Sequence, residues 1–278
     1  MAENVVTLCV GDTHLKQHFI LPRVDAAVRR FGVERVVFLG DLCDDWGARD
    51  DFALSALREM ADWVLRARDS GLRVDVLAGN HDMCYLMDIE GPGTQYAIMP
   101  SVRHVLRTMD VRIAADVNGW LATHAGVTGA WADDFLPGVT RPAAIADALD
   151  AMARDVYGED IYALYSCGCA RGGDDAPGPV WADRRELMAD PLPGVNQIVG
   201  HTPVGACMHE RVSSFGGAQA GMCDLWFCDT FSLASTFSPI GDASMLLVDA
   251  GGSARAISTD ELIGRPWLDD VFAYADSR

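Results

Sequence analysis

The stretch VVTLCVGDTH, residues 5–14, decides the fold, because a short β-branched run leads directly into a glycine and two polar side chains. The same arrangement returns as RVVFLGDLCD at 35–44 and as RVDVLAGNHD at 73–82. Between these three segments, at 22–31 and 50–69, apolar residues recur at helical spacing. This βαβαβ series predicts parallel strands joined by right-handed crossovers, with functional residues beyond the strands' carboxyl ends.

Polar side chains cluster where these predicted strands end. The ends carry Asp12, His14, Asp41, Asp44, Asn80, His81 and Asp82, and two later strands end at His124 and His201. Parallel strands finish at the same edge of a sheet, so we expect these side chains to converge there. A glycine beside most of them lets the backbone turn sharply and approach a ligand closely.

Beyond residue 100 the predicted elements are shorter. Strands are predicted at 102–106, 111–116, 119–123, 197–199, 224–228 and 244–248. A helix is predicted at 142–157, and 166–180 is an exposed Gly/Pro/Asp-rich loop. The tail after 258 carries no clear signal.

Composition indicates one domain, 1–278, with a cap-like insertion at about 127–195 between two blocks of candidate ligands. The chain has 278 residues, half of them apolar, and a net charge of −18. That charge argues against nucleic acid as a partner, but a small anion could still be drawn to a metal site. No secretory signal or bilayer-spanning run is visible, so the expected location is the cytoplasm, without membrane attachment.

The residue types at the strand ends predict a metal centre. Carboxylates, imidazoles and an amide oxygen suit Mn²⁺, Fe, Zn²⁺ or Ni²⁺ better than Ca²⁺. Two ions need a shared anionic ligand, for which Asp41 is the natural candidate. Asp12 and His14 would then bind the first ion, and the second would be bound by Asn80, His124 and His201. A hydroxide held between the ions would be the nucleophile.

A single aspartate after a strand is more often a turn former or a helix cap than a ligand. What favours a site is the ordered series of such blocks. Four of the seven histidines also fall at strand ends, whereas structural histidines would scatter.

The ordered blocks GDxH, GDxxD, GNHD, a single His and GH resemble the calcineurin-like metallophosphoesterases. The resemblance spans residues 11 to 203. It implies an α/β fold, specifically a four-layer α/β/β/α sandwich with mixed sheets. It also implies a dinuclear centre ligated by the residues assigned above.

Two further segments resemble one branch of that family, the serine/threonine phosphoprotein phosphatases and symmetrical diadenosine tetraphosphatases. His124-Ala125-Gly126 is similar to the branch's HGG-type block, and 181–184, WADR, to its Trp-x-x-Arg segment. The resemblance implies that His81 is the general acid, with Asp44 orienting it. It also implies that Arg184 holds phosphate oxygens.

One position departs from the branch pattern. Asp45 stands where the branch has an arginine that binds phosphate, so another cation would have to supply that contact. The candidates are Arg141, Arg171, Arg184 and Arg185. The final block, with Thr-Pro after a single histidine, favours the phosphatase branch over nucleases.

The function predicted from these features is hydrolysis of phosphomonoesters, on a phosphoprotein or a small phosphorylated molecule. The alternative within the same chemistry is a phosphodiesterase or dinucleoside polyphosphate hydrolase. A further alternative, motivated by Asp45, is a metal-binding scaffold without turnover.

Overall fold

The computed structural model describes residues 5–154, 158–214 and 221–277. Within these residues the strands are β1 Thr7–Val10, β2 Arg35–Phe38, β3 Arg73–Val76, β4 Ala114–Val117, β5 Trp120–Thr123, β6 Gln197–Val199, β7 Met208–Ser213, β8 Met222–Phe227, β9 Met245–Val248 and β10 Ala254–Ile257. The helices are α1 Gln17–Phe31, α2 Asp50–Asp69, α3 Asn80–Met87, α4 Met99–Thr108, α5 Gly129–Phe135, α6 Pro142–Met152, α7 Glu159–Leu164, α8 Arg184–Ala189, α9 Asp260–Ile263 and α10 Trp267–Ser277.

The strands form two mixed five-stranded sheets. The first has the order β10-β9-β1-β2-β3, in which β1, β2 and β3 are parallel. The second has the order β4-β5-β6-β8-β7, in which β5, β6 and β8 are parallel. The outer strands of both sheets pair antiparallel with their neighbours, apart from β3. Each sheet therefore presents a bundle of parallel carboxyl ends at one edge.

Successive side chains of the central strands point to opposite faces of the sheet, which explains how the layers stack. In β2, Val36 and Phe38 face the helices α1, α2 and α4, whereas Val37 packs between the two sheets. Strands buried on both faces are expected to be apolar throughout, as this one is beyond Arg35. Helices α5, α6 and α7 cover the other sheet. The predicted α/β/β/α sandwich with mixed sheets is thereby confirmed.

The helix predicted at 50–69 matches α2, but other boundaries differ. The strand predicted at 102–106 is wrong, since these residues lie in α4. Buried Met99, Val102 and Leu106 recur at helical spacing, and Pro100 occupies the first helical turn, where its missing N–H costs nothing. The tail after 258 forms α9 and α10.

The predicted helix at 142–157 corresponds to α6, which ends at Met152, and residues 155–157 lie outside the described part of the chain. The predicted loop at 166–180 contains a short 3₁₀ turn, Cys169–Arg171. Over the described ranges, no helix is both long enough and apolar enough to cross a membrane.

Candidate metal centre

The polar residues that follow the parallel strands meet at one edge of the sandwich. Four of the six candidate ligands follow the strands β1, β2 and β3 of the first sheet, and they lie beside the loops that follow β5 and β6. The structure brings together all six residues that the sequence suggests as ligands, namely Asp12, His14, Asp41, Asn80, His124 and His201.

Asp41 lies at the centre of this cluster. Its Oδ2 atom is 3.5 Å from His14 Nε2 and 3.4 Å from His124 Nε2. Asp41 belongs to two sets of residues that could hold a metal ion. Within each set, the possible ligand atoms all lie within 4.8 Å of one another. We call them the first group, Asp12, His14 and Asp41, and the second group, Asp41, His124 and His201. The arrangement matches a carboxylate positioned to serve two cations.

The spacings between Asn80 and two members of the second group, His124 and His201, suit a metal ion. His124 Nε2 is 3.1 Å from Asn80 Oδ1 and 3.1 Å from His201 Nδ1. Ligands bound at about 2.0–2.2 Å to a common ion are separated by about 3.0–3.5 Å. For His201 the atom that faces His124 Nε2, and therefore a shared ion, is Nδ1. Its Nε2 atom is buried and has no hydrogen-bond partner among the described residues.

The orientation of two histidines is fixed by backbone carbonyls. His124 Nδ1–H donates to the Leu39 carbonyl at 2.8 Å. His14 Nδ1–H donates to the carbonyls of Cys43 and Asp44, at 3.2 and 3.0 Å. In both residues the Nε2 atom is therefore the one turned to the carboxylates. Metal-binding histidines are commonly oriented in this way by a hydrogen bond from the other nitrogen.

Two glycines are required by the close approach of ligand carboxylates. A Cβ atom on Gly79 would lie 2.0 Å from Asp41 Oδ1, and one on Gly200 would lie 2.1 Å from Asp12 Oδ1. The His201 N–H donates to the two Asp12 carboxylate oxygens at 3.0 and 3.1 Å. The glycines that precede the polar residues in sequence thus leave room for the carboxylates of neighbouring loops.

Four non-glycine residues at the site have left-handed backbone conformations. Their φ angles are 40° for His14, 50° for Asp41, 64° for Asp44 and 63° for His201. Such conformations cost energy and tend to cluster where a site demands a particular side-chain direction.

The electrostatics of the cluster favour a cation. Burial acts to raise the pKa of Asp41, yet His124, His81 and His14 hold it well below its usual range. Burial acts to lower the pKa of His124, but Asp41 and Asp12 raise it to about 10. Burial lowers the pKa of His14 to about 4. The buried carboxylates are therefore stabilised by nearby positive charge. A divalent ion would supply this charge in place of the proton on His124.

The two residues proposed for proton transfer lie next to each other. His81 Nδ1 is 3.2 Å from Asp44 Oδ2, and the His81 backbone N–H donates to Asp41 Oδ1 at 3.0 Å. The Tyr85 hydroxyl donates a short hydrogen bond to Asp44 Oδ1. Burial acts to lower the pKa of His81, but Asp41 and Asp44 raise it. The imidazole is thereby held in place, and its protonated form is favoured.

A cavity of about 330 Å³ opens over both groups. Trp46 from the loop after β2 and Trp181 from the segment between β5 and β6 contribute to its walls. Lys16 and Arg171 are the basic side chains other than histidine that line it, among the residues described.

Arg184 is not brought to this cavity. Its Nη1 atom is 3.1 Å from Met208 Sδ, and its guanidinium lies 6.0 Å from the centre of the Phe227 ring. Its backbone N–H donates to the Thr202 hydroxyl, so the residue contributes to the loop that carries His201. The guanidinium itself packs on the second sheet and does not line the cavity.

Of the four arginines considered from sequence, Arg171 alone lines the cavity; Arg141 and Arg185 do not. Arg171 Nε is 3.1 Å from Asp183 Oδ2, and its Nη2 donates to Thr202 Oγ1 at 3.3 Å. The residue is therefore anchored beside the His201 loop, at the second group.

One further carboxylate at the site was missed from sequence. Asp229 is buried and lines the cavity, and its Oδ2 accepts a hydrogen bond from Ser232 Oγ at 2.9 Å. Its Oδ1 has no partner within the described residues. It follows β8, which is parallel to β6, so the rule that located His201 also points to this position.

Comparison with known proteins identifies the family. The family model described as "Calcineurin-like phosphoesterase" matches residues 5–221. No curated protein sequence matches the chain.

Solved structures share the fold. One is a point mutant of a cold-active protein tyrosine phosphatase, with a TM-score of 0.55 and 14% identity, covering 93% of this chain and 83% of that one. A second is the cold-active protein-tyrosine phosphatase of a psychrophilic Shewanella species, with a TM-score of 0.53, 14% identity and the same coverage of 93% and 83%. At this identity the likeness concerns the fold alone.

Proposed function

Because the chain belongs to the calcineurin-like phosphoesterase family, and is thus a metal-dependent phosphoester hydrolase, we propose that it hydrolyses phosphomonoesters at the centre built around Asp41. The observation that carries this proposal is the shared position of Asp41 between the first and second groups. A site that serves two cations through one carboxylate is suited to in-line displacement at phosphorus.

We propose that Asp12, His14 and Asp41 hold one ion and that Asp41, Asn80, His124 and His201 hold the other. The donor set of carboxylates, imidazoles and one amide oxygen suits Mn²⁺, Fe, Zn²⁺ or Ni²⁺. Bound ions would supply Lewis acidity and lower the pKa of a bound water to about 7.

The chain's own residues would position the substrate and move the proton. His81 lines the cavity and, held by Asp44, would donate its proton to the leaving oxygen. Arg171 would bind phosphate oxygens at the second group, the role that the sequence resemblance gave to Arg184. Arg171 and Trp181 both come from 127–195, which supports a cap-like role for that segment.

A phosphomonoester is the substrate class that we favour. The cavity of about 330 Å³ is close to the lower end of the range for small-molecule sites, which suits one phosphoryl group and a modest leaving group. The two similar solved structures are of protein tyrosine phosphatases, so a phosphotyrosine peptide is the first protein substrate to test.

The test combines metal content with turnover. Purified protein would be analysed by plasma mass spectrometry and assayed with Mn²⁺ on p-nitrophenyl phosphate and on its bis-ester. Asp41→Asn removes the shared charge, and Asp134→Asn, an exposed position on α5, is the matched control.

We expect about two metals per chain, turnover of the monoester, and loss of both in Asp41→Asn but not in Asp134→Asn. Turnover of the bis-ester alone would overturn the choice of substrate class in favour of a diesterase. Two bound metals with turnover of neither compound nor of a phosphotyrosine peptide would favour a scaffold over an enzyme.

A further inference from the structure

Lys16 is chemically unique in this chain. Of the 22 lysine and arginine residues, 21 are arginines and Lys16 is the single lysine. It stands between the loop of His14 and helix α1, and it is only 1% exposed. A fully buried lysine is rare unless it is paired or functional. Here its side chain contributes to the wall of the cavity over the candidate metal centre.

The contacts of Lys16 place its ammonium beside the first group. Nζ donates to the His14 carbonyl at 3.0 Å. The Tyr274 hydroxyl from α10 lies 3.4 Å from the same carbonyl, and Nζ lies 5.5 Å from the centre of the Tyr274 ring. His14 and Leu15 have φ angles of 40° and 61°, so two successive non-glycine residues are held in the left-handed region. Such strain persists only where surrounding contacts fix it.

Tyr274 also engages the residue that departs from the related phosphatases. Its hydroxyl donates to Asp45 Oδ2 at 2.5 Å. Asp45 occupies the position of the arginine that the resemblance would place on phosphate. One tyrosine thus joins Asp45, the His14 carbonyl and Lys16. Asp45, which stands where the related phosphatases have an arginine, is therefore linked through Tyr274 to the only lysine of the chain.

Helix α10 is itself firmly anchored. Arg23 of α1 is fully buried and donates to Asp270 Oδ2 at 2.7 Å and to Asp260 Oδ1 at 2.6 Å. It also donates to Thr259 Oγ1 at 3.0 Å. This network fixes the C-terminal helix against α1, so Tyr274 reaches the site from a rigid element.

The two cations of the cavity lie at opposite ends of the candidate centre. Arg171 is anchored beside His201 in the second group, and Lys16 is anchored at His14 in the first. Several carboxylates, including Asp44, Asp45 and Asp229, share the cavity wall. Beyond the metal ions of the two groups, basic side chains at both ends of the cavity would offset these carboxylates for an entering phosphate dianion.

We propose that Lys16 binds the phosphate oxygens of the substrate at the first group, in place of the arginine that Asp45 replaces, and that Tyr274 is its positioning residue. This proposal rests on the proposed function. A compact ammonium has three donors on a flexible stem, so it can bond a carbonyl and a phosphate oxygen together.

The first test uses the metal-loaded protein and inorganic phosphate as the probe, with binding measured by calorimetry. Lys16→Met should weaken phosphate binding about 10- to 100-fold, which corresponds to one charge-assisted hydrogen bond. KM for p-nitrophenyl phosphate should rise in parallel, while metal content stays at the wild-type level. Tyr274→Phe should raise KM several-fold with a smaller change in kcat. Arg29→Met, an exposed charge-matched control at the end of α1, should bind phosphate as the wild type does.

Wild-type phosphate affinity in Lys16→Met would overturn the proposal. Loss of metal together with phosphate binding would also overturn it, because Lys16 would then support the metal loop instead of the substrate. These outcomes differ from failure of the proposed function, in which the wild type turns over no monoester although its phosphate affinity remains measurable.

A second measurement does not depend on any variant folding. Protein grown with [¹³Cε]lysine gives one lysine signal, because the chain has one lysine. Adding inorganic phosphate to the zinc-loaded wild type should shift that signal with the midpoint found by calorimetry. A signal that stays fixed while phosphate binds, or the absence of phosphate binding, would overturn the proposal.

Discussion

Replacing Asp82 by alanine should separate the two loops that carry Asp41 and Asn80. The Asp82 carboxylate is fully buried and accepts three backbone N–H groups. Cys43 and Leu42, in the loop after β2, donate to Oδ1 at 3.0 and 3.1 Å, and Gly79, after β3, donates to Oδ2 at 2.9 Å. The side chain therefore clamps the two loops from outside the cavity wall.

The expected loss of stability follows from the three backbone N–H groups that the substitution leaves without acceptors. Three buried donors without partners cost about 2 kcal/mol each, or about 6 kcal/mol in all. Burial, followed by the nearby Asp41, raises the pKa of Asp82 from 3.8 to about 6. Because the substitution also removes this buried charge, it restores about 3 kcal/mol of the free energy of unfolding at about pH 7.5. The expected net loss in the free energy of unfolding is therefore about 3 kcal/mol at this pH.

The same pKa shift gives the loss a pH dependence of definite sign. The pKa of the folded-state carboxyl lies above the unfolded value, so Asp82 stabilises the fold most at low pH, and this contribution falls as pH rises from about 4 to about 6. The deficit of Asp82→Ala should therefore be larger at about pH 5 than at about pH 7.5, by about 1 kcal/mol.

The assay is urea unfolding of metal-free protein at both pH values, with Asp134→Ala as an exposed control expected to lie within about 0.5 kcal/mol of wild type. A deficit of Asp82→Ala below about 1 kcal/mol at about pH 7.5 would refute the clamp. A deficit that shrinks at the lower pH would refute the assigned cost of the buried charge.

Three further outcomes follow from the site and its anchors. His81→Asn should lower kcat about 100-fold at unchanged metal content, and metal loss by plasma mass spectrometry would instead make His81 a ligand. Gly200→Ala would place a methyl group 2.1 Å from Asp12 Oδ1, so metal content should fall; wild-type content would show that the loop adapts. Arg23→Met removes one ion-pair partner of the buried Asp270, which keeps Arg265, and should cost about 3 kcal/mol in urea unfolding, whereas a loss below about 1 kcal/mol would contradict the anchor.

Much of the site was predictable because its residues follow a local rule. Each possible ligand stands just after a short apolar strand, and parallel strands bring their ends together whatever their separation in sequence. The error at 102–106 has the opposite cause. A short, largely apolar run fits a strand or a buried helix equally well, and only the longer pattern from Met99 to Thr108 distinguishes them.

The role of the tail was less accessible. Buried Trp267, Val271 and Tyr274 recur at helical spacing, so α10 itself carries a readable signal. The bond between Tyr274 and Asp45 joins residues 229 positions apart, and no local pattern predicts such a pairing. That Lys16 is the only lysine is visible in the sequence, but it gains meaning only when its burial is known.

The charge distribution explains why the metal centre and the two basic side chains of the cavity would act together. A chain of net charge −18 whose cavity carries several carboxylates would repel a phosphate dianion if nothing opposed them. Metal ions would cancel the charge at the centre, but Asp44, Asp45 and Asp229 lie around it as well. Cations fixed at both ends, Lys16 and Arg171, would extend the positive region to the width of a phosphate. Since ions and cations act on the same anion, metal and phosphate should each bind more tightly when the other is present.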